Sequence, residues 1–106
     1  MYGDGVIVAI VRFPLDPPVS ADEARSMFEA SAPNYTNLSG LMRKHYLHSD
    51  DGSVAGGVYL WDSRAAAEAV YTDAWRERLT QRYGAPPKVE YFDSPVTVEG
   101  DRITVE

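Results

Sequence analysis

Two segments of this sequence are apolar on both faces of the β-strand that each of them predicts. Residues 6–13 read VIVAIVRF and residues 54–61 read VAGGVYLW, so side chains on both sides of each strand are apolar. Their β-branched and aromatic residues are typical of strands. A strand with one solvated face alternates apolar with polar side chains, whereas these strands resemble those of a sheet covered on both faces. The fold must therefore provide a cover for each side of the sheet.

Turn and capping signals define the other elements. Ser20 with Glu23 forms a capping box that opens a helix, and Pro33 disfavours helical backbone in the residue before it. Residues 49–52, Ser-Asp-Asp-Gly, predict a hairpin turn, and Gly84 predicts the end of a second helix. The predicted elements are, in order, a strand over 6–13, a helix from Ser20 to Ala32, strands over 41–48 and 54–61, a helix over 64–82 capped by Asp62 or Ser63, and a strand over 89–92.

This order of elements predicts a known architecture. Strand, helix, strand, strand, helix, strand is the ferredoxin-like βαββαβ arrangement, an α+β fold with an antiparallel sheet. We expect one domain over residues 1–106. Residues 96–106, VTVEGDRITVE, form a separate feature in which aliphatic side chains face each other across a turn at Gly100 and Asp101. They predict a C-terminal strand or hairpin arm.

The helices of such a fold cover only one face of the sheet. Right-handed crossovers put both helices on the same side, so the second apolar face needs another cover. A second sheet is the simplest one, and another copy of the chain supplies it. We therefore predict a homodimer of the dimeric α+β barrel type. The alternative is a monomer whose second face is closed by the tail hairpin, although a two-stranded hairpin covers little of a four-stranded sheet.

The composition excludes several classes of function. The 106 residues include no cysteine and two histidines, which excludes thiol nucleophiles and Cys-ligated metals and makes a metal centre unexpected. A net charge of −6 and a pI near 4.8 argue against nucleic acid or an anionic membrane as partner, since both need clustered Lys and Arg. The sequence shows neither a membrane-spanning apolar run nor a signal-peptide pattern. We expect a cytoplasmic protein that binds a small molecule or a protein.

The predicted second and third strands carry a family resemblance. Its residues are 40–44 (GLMRK), the turn at 51–52 (DG), 55–61 (AGGVYLW) followed by an alanine-rich helix, and Tyr83-Gly84. With them the chain resembles the YdhR-type monooxygenases, relatives of the antibiotic-biosynthesis monooxygenases, over roughly residues 6–98. The resemblance implies the dimeric α+β barrel fold. The wider family includes cofactor-free oxygenases, haem-degrading enzymes and isomerases, so it supports the fold more than one chemistry.

The resemblance does not extend to the haem-degrading relatives. Those enzymes use an Asn on the first strand, a Trp at the end of the third strand and a His on the second helix. Of these three residues this sequence has the tryptophan alone, as Trp61. The missing histidine leaves an iron without its protein ligand. We therefore expect no cofactor and no metal.

Three residues of the third strand are candidates for a binding site. In this family the pocket lies between the sheet and its own helices, and the resemblance puts Gly57, Tyr59 and Trp61 on the helix-facing side. The absent side chain of Gly57 leaves room for a ligand or for close packing of a helix. Tyr59 and Trp61 have large apolar rings with a polar group, which suits an aromatic substrate, although both can equally be core residues.

Four further residues complete the candidate site. His45 alternates with Leu47 on a strand face and, with an unperturbed pKa near neutrality, qualifies as a general base, the alternative being a structural histidine. Trp75 and Arg78 lie on the broad face of the second helix. Trp75 suits the core or a pocket rim, and Arg78 suits an anionic substrate group or a position with its head in water. Tyr35 lies in the loop after the first helix, where binding residues are frequent.

Two hypotheses for function follow. In the first, the protein is a cofactor-independent monooxygenase acting on a small aromatic or polyketide-like molecule. A base such as His45 deprotonates a phenol on which Tyr59 and Trp61 stack, and Arg78 or an asparagine stabilises the enolate while it reduces oxygen. In the second, the protein has a non-redox role as a small-molecule-binding dimer, or as an isomerase or cyclase that uses the same pocket. Whether His45 shares a face with Tyr59 depends on the register of the second and third strands, which the sequence leaves open.

Overall fold

A computed structural model describes residues 5–106. Its elements are β1 (Ile7–Pro14), α1 (Ala21–Ser31), a short 3-10 helix (Ala32–Tyr35), β2 (Leu41–His48), β3 (Val54–Trp61), α2 (Arg64–Val70), α3 (Asp73–Tyr83), β4 (Lys88–Asp93), β5 (Val96–Glu99) and β6 (Arg102–Val105). The first four strands form one antiparallel sheet in the order β2-β3-β1-β4. This arrangement confirms the predicted ferredoxin-like α+β fold.

The predicted helix caps are present. The Ser20 hydroxyl accepts a hydrogen bond from the Glu23 backbone N–H at 3.1 Å, and α1 begins at Ala21, directly after Ser20. Ser63 caps α2 in the same way. Gly84 has a φ of 84° and ends α3, a left-handed conformation that glycine adopts without steric cost.

The second helix is divided, so the prediction of one helix over 64–82 is wrong. Helix α2 ends at Val70, and the Thr72 hydroxyl accepts a hydrogen bond from the Trp75 backbone N–H at 3.2 Å to cap α3. The cap satisfies a backbone donor at the break. Tyr71 and Trp75 both become buried, with ring centroids 4.7 Å apart.

The main core lies between the helix-facing side of the sheet and helices α2 and α3. Its buried residues are Ala9, Val11, Tyr59, Trp61, Ala67, Tyr71 and Trp75. A second, smaller cluster with Phe13, Leu15 and Ala55 packs against α1. Because Tyr59 pairs with Ala9 on β1, which pairs in turn with Tyr91 on β4, these residues share the helix-facing side.

The opposite face of the sheet carries aliphatic side chains on its two central strands, β1 and β3, and is not closed within one chain. Ile10 lies opposite Val58, and Val8 lies opposite Leu60. These four side chains are only half-buried, and Phe92 on β4 is 47% exposed. The apolar pattern on both sides of the strands therefore corresponds to one core face and one open face.

The C-terminal segment forms the predicted hairpin. Strands β5 and β6 pair Val96 with Val105 and Val98 with Ile103 in a separate two-stranded sheet. The four aliphatic side chains are 54–70% exposed. The hairpin thus presents an aliphatic face to the solvent.

Candidate active site

The register of β2 and β3 decides which side chains enter the space under the helices. Lys44 lies opposite Tyr59, and His45 lies opposite Val58. Directly opposed residues of an antiparallel pair project to the same face, so Lys44 faces the helices and His45 belongs to the open face, where it is exposed. This corrects the position expected for His45, which the structure does not bring together with Tyr59. A register difference of one residue is the physical reason.

A cleft opens between the helix-facing side of the sheet and α1, the 3-10 helix and α3. Its inner part is about 20 Å³, enough for about one water molecule, and its outer part is about 180 Å³. The two parts adjoin because Ser31, Tyr35, Leu79 and Tyr83 line both. Lys44 and Tyr59 lie at the inner part, and Trp75 and Arg78 lie at the outer part.

Lys44 is surrounded by tyrosine rings. Its Nζ lies 3.5 Å from the ring centroid of Tyr35, 3.8 Å from that of Tyr46 and 4.6 Å from that of Tyr59. Within residues 5–106 no carboxylate forms an ion pair with it. Burial therefore lowers the pKa of Lys44 from 10.5 to about 7. The ring faces attract the ammonium form, while the lowered pKa makes the uncharged amine available near neutral pH.

The three tyrosines form a cage around the Lys44 amine, and two of them, Tyr46 and Tyr59, are held in the neutral form. Burial raises the pKa of Tyr59 above its ordinary value, with the neighbouring Tyr35 adding to the effect, and burial also raises the pKa of Tyr46. The Tyr46 hydroxyl is 2.8 Å from the Ser31 hydroxyl oxygen. The Tyr35 hydroxyl accepts a hydrogen bond from the Trp75 indole N–H at 3.1 Å. The cage thus offers neutral hydroxyl groups beside a titratable amine.

Gly57 provides the space that the Lys44 side chain occupies. A Cβ atom at Gly57 would lie 3.0 Å from Lys44 Cε and 3.2 Å from Tyr59 Cε1, closer than ordinary van der Waals contact. The glycine therefore lets the lysine cross β3. The room expected for a ligand or a helix is used by Lys44.

The two tryptophans have different surroundings. Trp61 is 0% exposed, its indole N–H donates to the Tyr71 hydroxyl at 3.1 Å, and its ring stacks nearly parallel to Tyr59 at 6.0 Å. Trp61 is therefore a core residue that packs against Tyr59. Of the two roles allowed by the sequence, binding site or core, the core role describes its position. Trp75 is 2% exposed and forms part of the wall of the outer cleft.

Arg78 lies where helix α3 meets the cleft. It lines the outer part together with Arg82, and both side chains are exposed. In the part of the chain that the structure describes, neither forms an ion pair. The structure thus brings Tyr35, Tyr59, Trp75 and Arg78 to one cleft.

Lys44 was missed by the analysis of the sequence. Lysines are seldom buried, so its place in a strand predicts an exposed side chain. The signal that could have found it is its alternation with Tyr46, which puts an ammonium and an aromatic ring on one strand face.

The described residues offer little to a metal ion. From residue 5 onward there is no group of three or more His, Cys, Asp or Glu side chains that could hold one. Over the same residues, no helix has the length and apolarity needed to cross a membrane.

Comparison with known proteins identifies the family. Residues 8–93 match the family model described as "Putative mono-oxygenase ydhR". No curated protein matches the sequence significantly. The match covers more than half of the chain, so it shows the family.

Solved structures share the fold. A monooxygenase from the gene ActVA-Orf6 of Streptomyces coelicolor, in complex with Nanaomycin D, has a TM-score of 0.67 and 19% identity over 91% of this chain and 93% of that chain. SnoaB, a cofactor-independent oxygenase from Streptomyces nogalater solved as a mutant, has a TM-score of 0.62 and 17% identity over 88% of this chain and 96% of that chain. NE2512 from Nitrosomonas europaea, a protein of unknown function, has a TM-score of 0.67 and 14% identity over 92% and 96%.

The fold and the cleft define a class. This is a ferredoxin-like α+β protein with an aromatic cleft between the sheet and its helices. The chain belongs to the ydhR mono-oxygenase family.

Proposed function

We propose that this protein is a cofactor-independent monooxygenase acting on a small phenolic substrate in the cleft. The observation that carries the proposal is the position of Lys44, whose amine lies among three tyrosine rings at the inner end of the cleft. Membership of a mono-oxygenase family supports it. So does the likeness of fold to SnoaB, which is described as a cofactor-independent oxygenase.

Oxygenation without a cofactor begins with loss of a substrate proton, because the substrate itself must supply the electrons. Lys44, with its pKa lowered to about 7, has an available lone pair near neutral pH. A base whose pKa is close to the working pH is effective. Lys44 thereby takes the role first considered for His45, which is on the open face.

The surroundings of Lys44 stabilise the anion that forms. Once protonated, its ammonium stays beside the substrate oxygen, and the Tyr59 hydroxyl, whose pKa is raised by burial, remains a hydrogen-bond donor. Fixed donors in a water-poor site favour a developing oxyanion. The rings of the cleft then stack on the substrate.

The oxygen step balances without a further reactant. The substrate anion gives one electron to O₂, and the resulting superoxide and substrate radical combine to form a C–O bond. The C–O bond forms at a ring carbon conjugated with the phenolate oxygen, and the Lys44 ammonium returns its proton to the peroxide anion, which gives a hydroperoxide and an uncharged amine. The amine then takes the remaining C–H proton of that carbon as the O–O bond breaks, which leaves a quinone carbonyl and a hydroxide that takes the proton from Lys44 and becomes water. One ring C–H of the phenol and one O₂ thus yield one quinone and one H₂O.

The open face of the sheet supports a homodimer as the active species. Val58 and Leu60 are half-buried in one chain, as are their neighbours on β1. A second sheet packed on this face would remove them from water, and each Å² of apolar surface buried in this way stabilises the assembly by roughly 25 cal/mol. The aliphatic face of the C-terminal hairpin would gain cover in the same assembly. The homodimer therefore belongs to the proposal.

Oxygen uptake by the purified protein with a panel of phenols and hydroquinones tests the proposal. We expect uptake that falls at least about a hundredfold in Lys44→Met. Lys88→Met is the matched control, because the sequence has two lysines and Lys88 is exposed. Uptake that survives Lys44→Met, or no uptake with any of the compounds, would contradict the proposal. Conversion without O₂ would support the isomerase or cyclase alternative instead.

A further inference from the structure

Two arginines lie side by side at the mouth of the cleft. Arg78 and Arg82 are four residues apart on α3, so they lie one helical turn from each other on the same face. Both line the outer cavity and both are exposed. Within residues 5–106 each is without a carboxylate partner, although the chain as a whole has a net charge of −6.

The rest of the outer cavity is shaped for an aromatic group. Trp75, Leu79 and Tyr83 supply apolar walls, and Asn34 adds an amide. Its volume of about 180 Å³ is smaller than the roughly 300–1,000 Å³ of pockets for drug-sized ligands. A ligand of one or two rings fits this space.

The positions of the charges give such a ligand a direction. The outer cavity with its arginines adjoins the inner cavity with Lys44 through the shared residues Tyr35 and Leu79. A ligand held at the mouth by an anionic group therefore points its rings toward the amine. Guanidinium groups bind carboxylates with two parallel hydrogen bonds.

We infer that the substrate of this cleft is a phenolic carboxylic acid of one or two rings, with its carboxylate bound by Arg78 and Arg82 and its phenol directed toward Lys44. The inference rests on the proposed function for the role of the phenol. The carboxylate site itself stands on the placement of the arginines and the apolar walls. Its alternative is a pair of arginines whose stems cover apolar surface while their heads bind only water.

Direct binding measurements test the carboxylate site. The probes are a hydroxynaphthoic acid and the matching hydroxynaphthamide, which has the same shape without the charge. Isothermal titration calorimetry should show that the wild type binds the acid at least about tenfold more tightly than the amide. The double variant Arg78→Gln/Arg82→Gln should lose this preference and keep its affinity for the amide.

Arg76→Gln is the control, because it removes one arginine charge from the same helix. The charge of Arg76 acts on Tyr91 of β4, where it opposes the rise in pKa that burial causes in the Tyr91 hydroxyl, and Arg76 does not line the outer cavity. It should keep the tenfold preference. Equal affinity for acid and amide in the wild type, a preference that persists in the double variant, or no binding of the acid would overturn the inference.

Oxygen uptake separates this inference from the proposed function. Arginine-dependent binding of the acid without oxygen uptake would uphold the carboxylate site and contradict the monooxygenase. Equal uptake with acid and amide, unaffected by the double variant, would uphold the monooxygenase and overturn the carboxylate site.

Discussion

Replacing Lys44 by Met should make the protein more stable near neutral pH. Methionine has a similar length and no charge, so it keeps the packing in the tyrosine cage and removes the cost of a buried ammonium. In the folded protein the pKa of Lys44 is about 7, against an ordinary value of 10.5. The wild type therefore holds an ammonium that burial disfavours at pH values below about 7.

The magnitude follows from the two pKa values. Between them the unfolded chain binds more protons than the folded one, so the free energy of unfolding of the wild type rises with pH by up to about 1.4 kcal/mol per pH unit. Relative to Lys44→Met, the wild type should gain about 2 kcal/mol between roughly pH 7 and pH 9. The variant should thus have its largest advantage at neutral pH and below.

Urea unfolding measures this difference directly. The buried Trp61 and Trp75 report unfolding by fluorescence, and the protein concentration is held fixed because the stability of the proposed dimer depends on it. Tyrosine titration affects both proteins equally and cancels in the comparison, and Lys88→Met should run parallel to the wild type. A difference between wild type and Lys44→Met that stays constant from about pH 7 to pH 9 would refute the lowered pKa.

Three further changes test other parts of the structure. Gly57→Ala puts a methyl group 3.0 Å from Lys44 Cε and should push the amine out of the cage, lowering oxygen uptake at neutral pH at least about tenfold; unchanged uptake would contradict the role given to the glycine. Trp61→Ala, at a fully buried position, should lower the free energy of unfolding by about 3 kcal/mol or more, and a loss below about 1 kcal/mol would show that the ring is not in the core. Val58→Asp puts a charge on the open face of the sheet and should halve the mass found by light scattering or unfold the protein; a wild type that is already a monomer would contradict the dimer.

Local patterns in the sequence predicted most of the fold. The capping residues Ser20 and Ser63, the glycine at the end of α3 and the alternation of the strands each act within a few residues, so they are visible without the tertiary structure. The break before α3 was missed because the helical pattern continues across it. Thr72, a good N-cap residue, was its signal.

The site was predictable only in part, because it depends on register. Tyr59, Trp75 and Arg78 were found from their side of a strand or helix, and all three lie at the cleft or its wall. Whether Lys44 or His45 faces the helices depends on how many residues the turn between β2 and β3 leaves unpaired. The composition of that turn does not decide it, and a shift of one residue exchanges the two faces.

The pH dependence of oxygen uptake tests the central claim most directly. With a phenol whose own pKa is well above the range studied, kcat/KM of the wild type should rise between about pH 5.5 and pH 8.5 with a midpoint near 7 and then level off, since only the uncharged amine of Lys44 acts as the base. Lys44→Met should have at least about a hundredfold lower kcat/KM and no such midpoint. A midpoint near 7 that persists in Lys44→Met would show that another group is the base and would contradict the account.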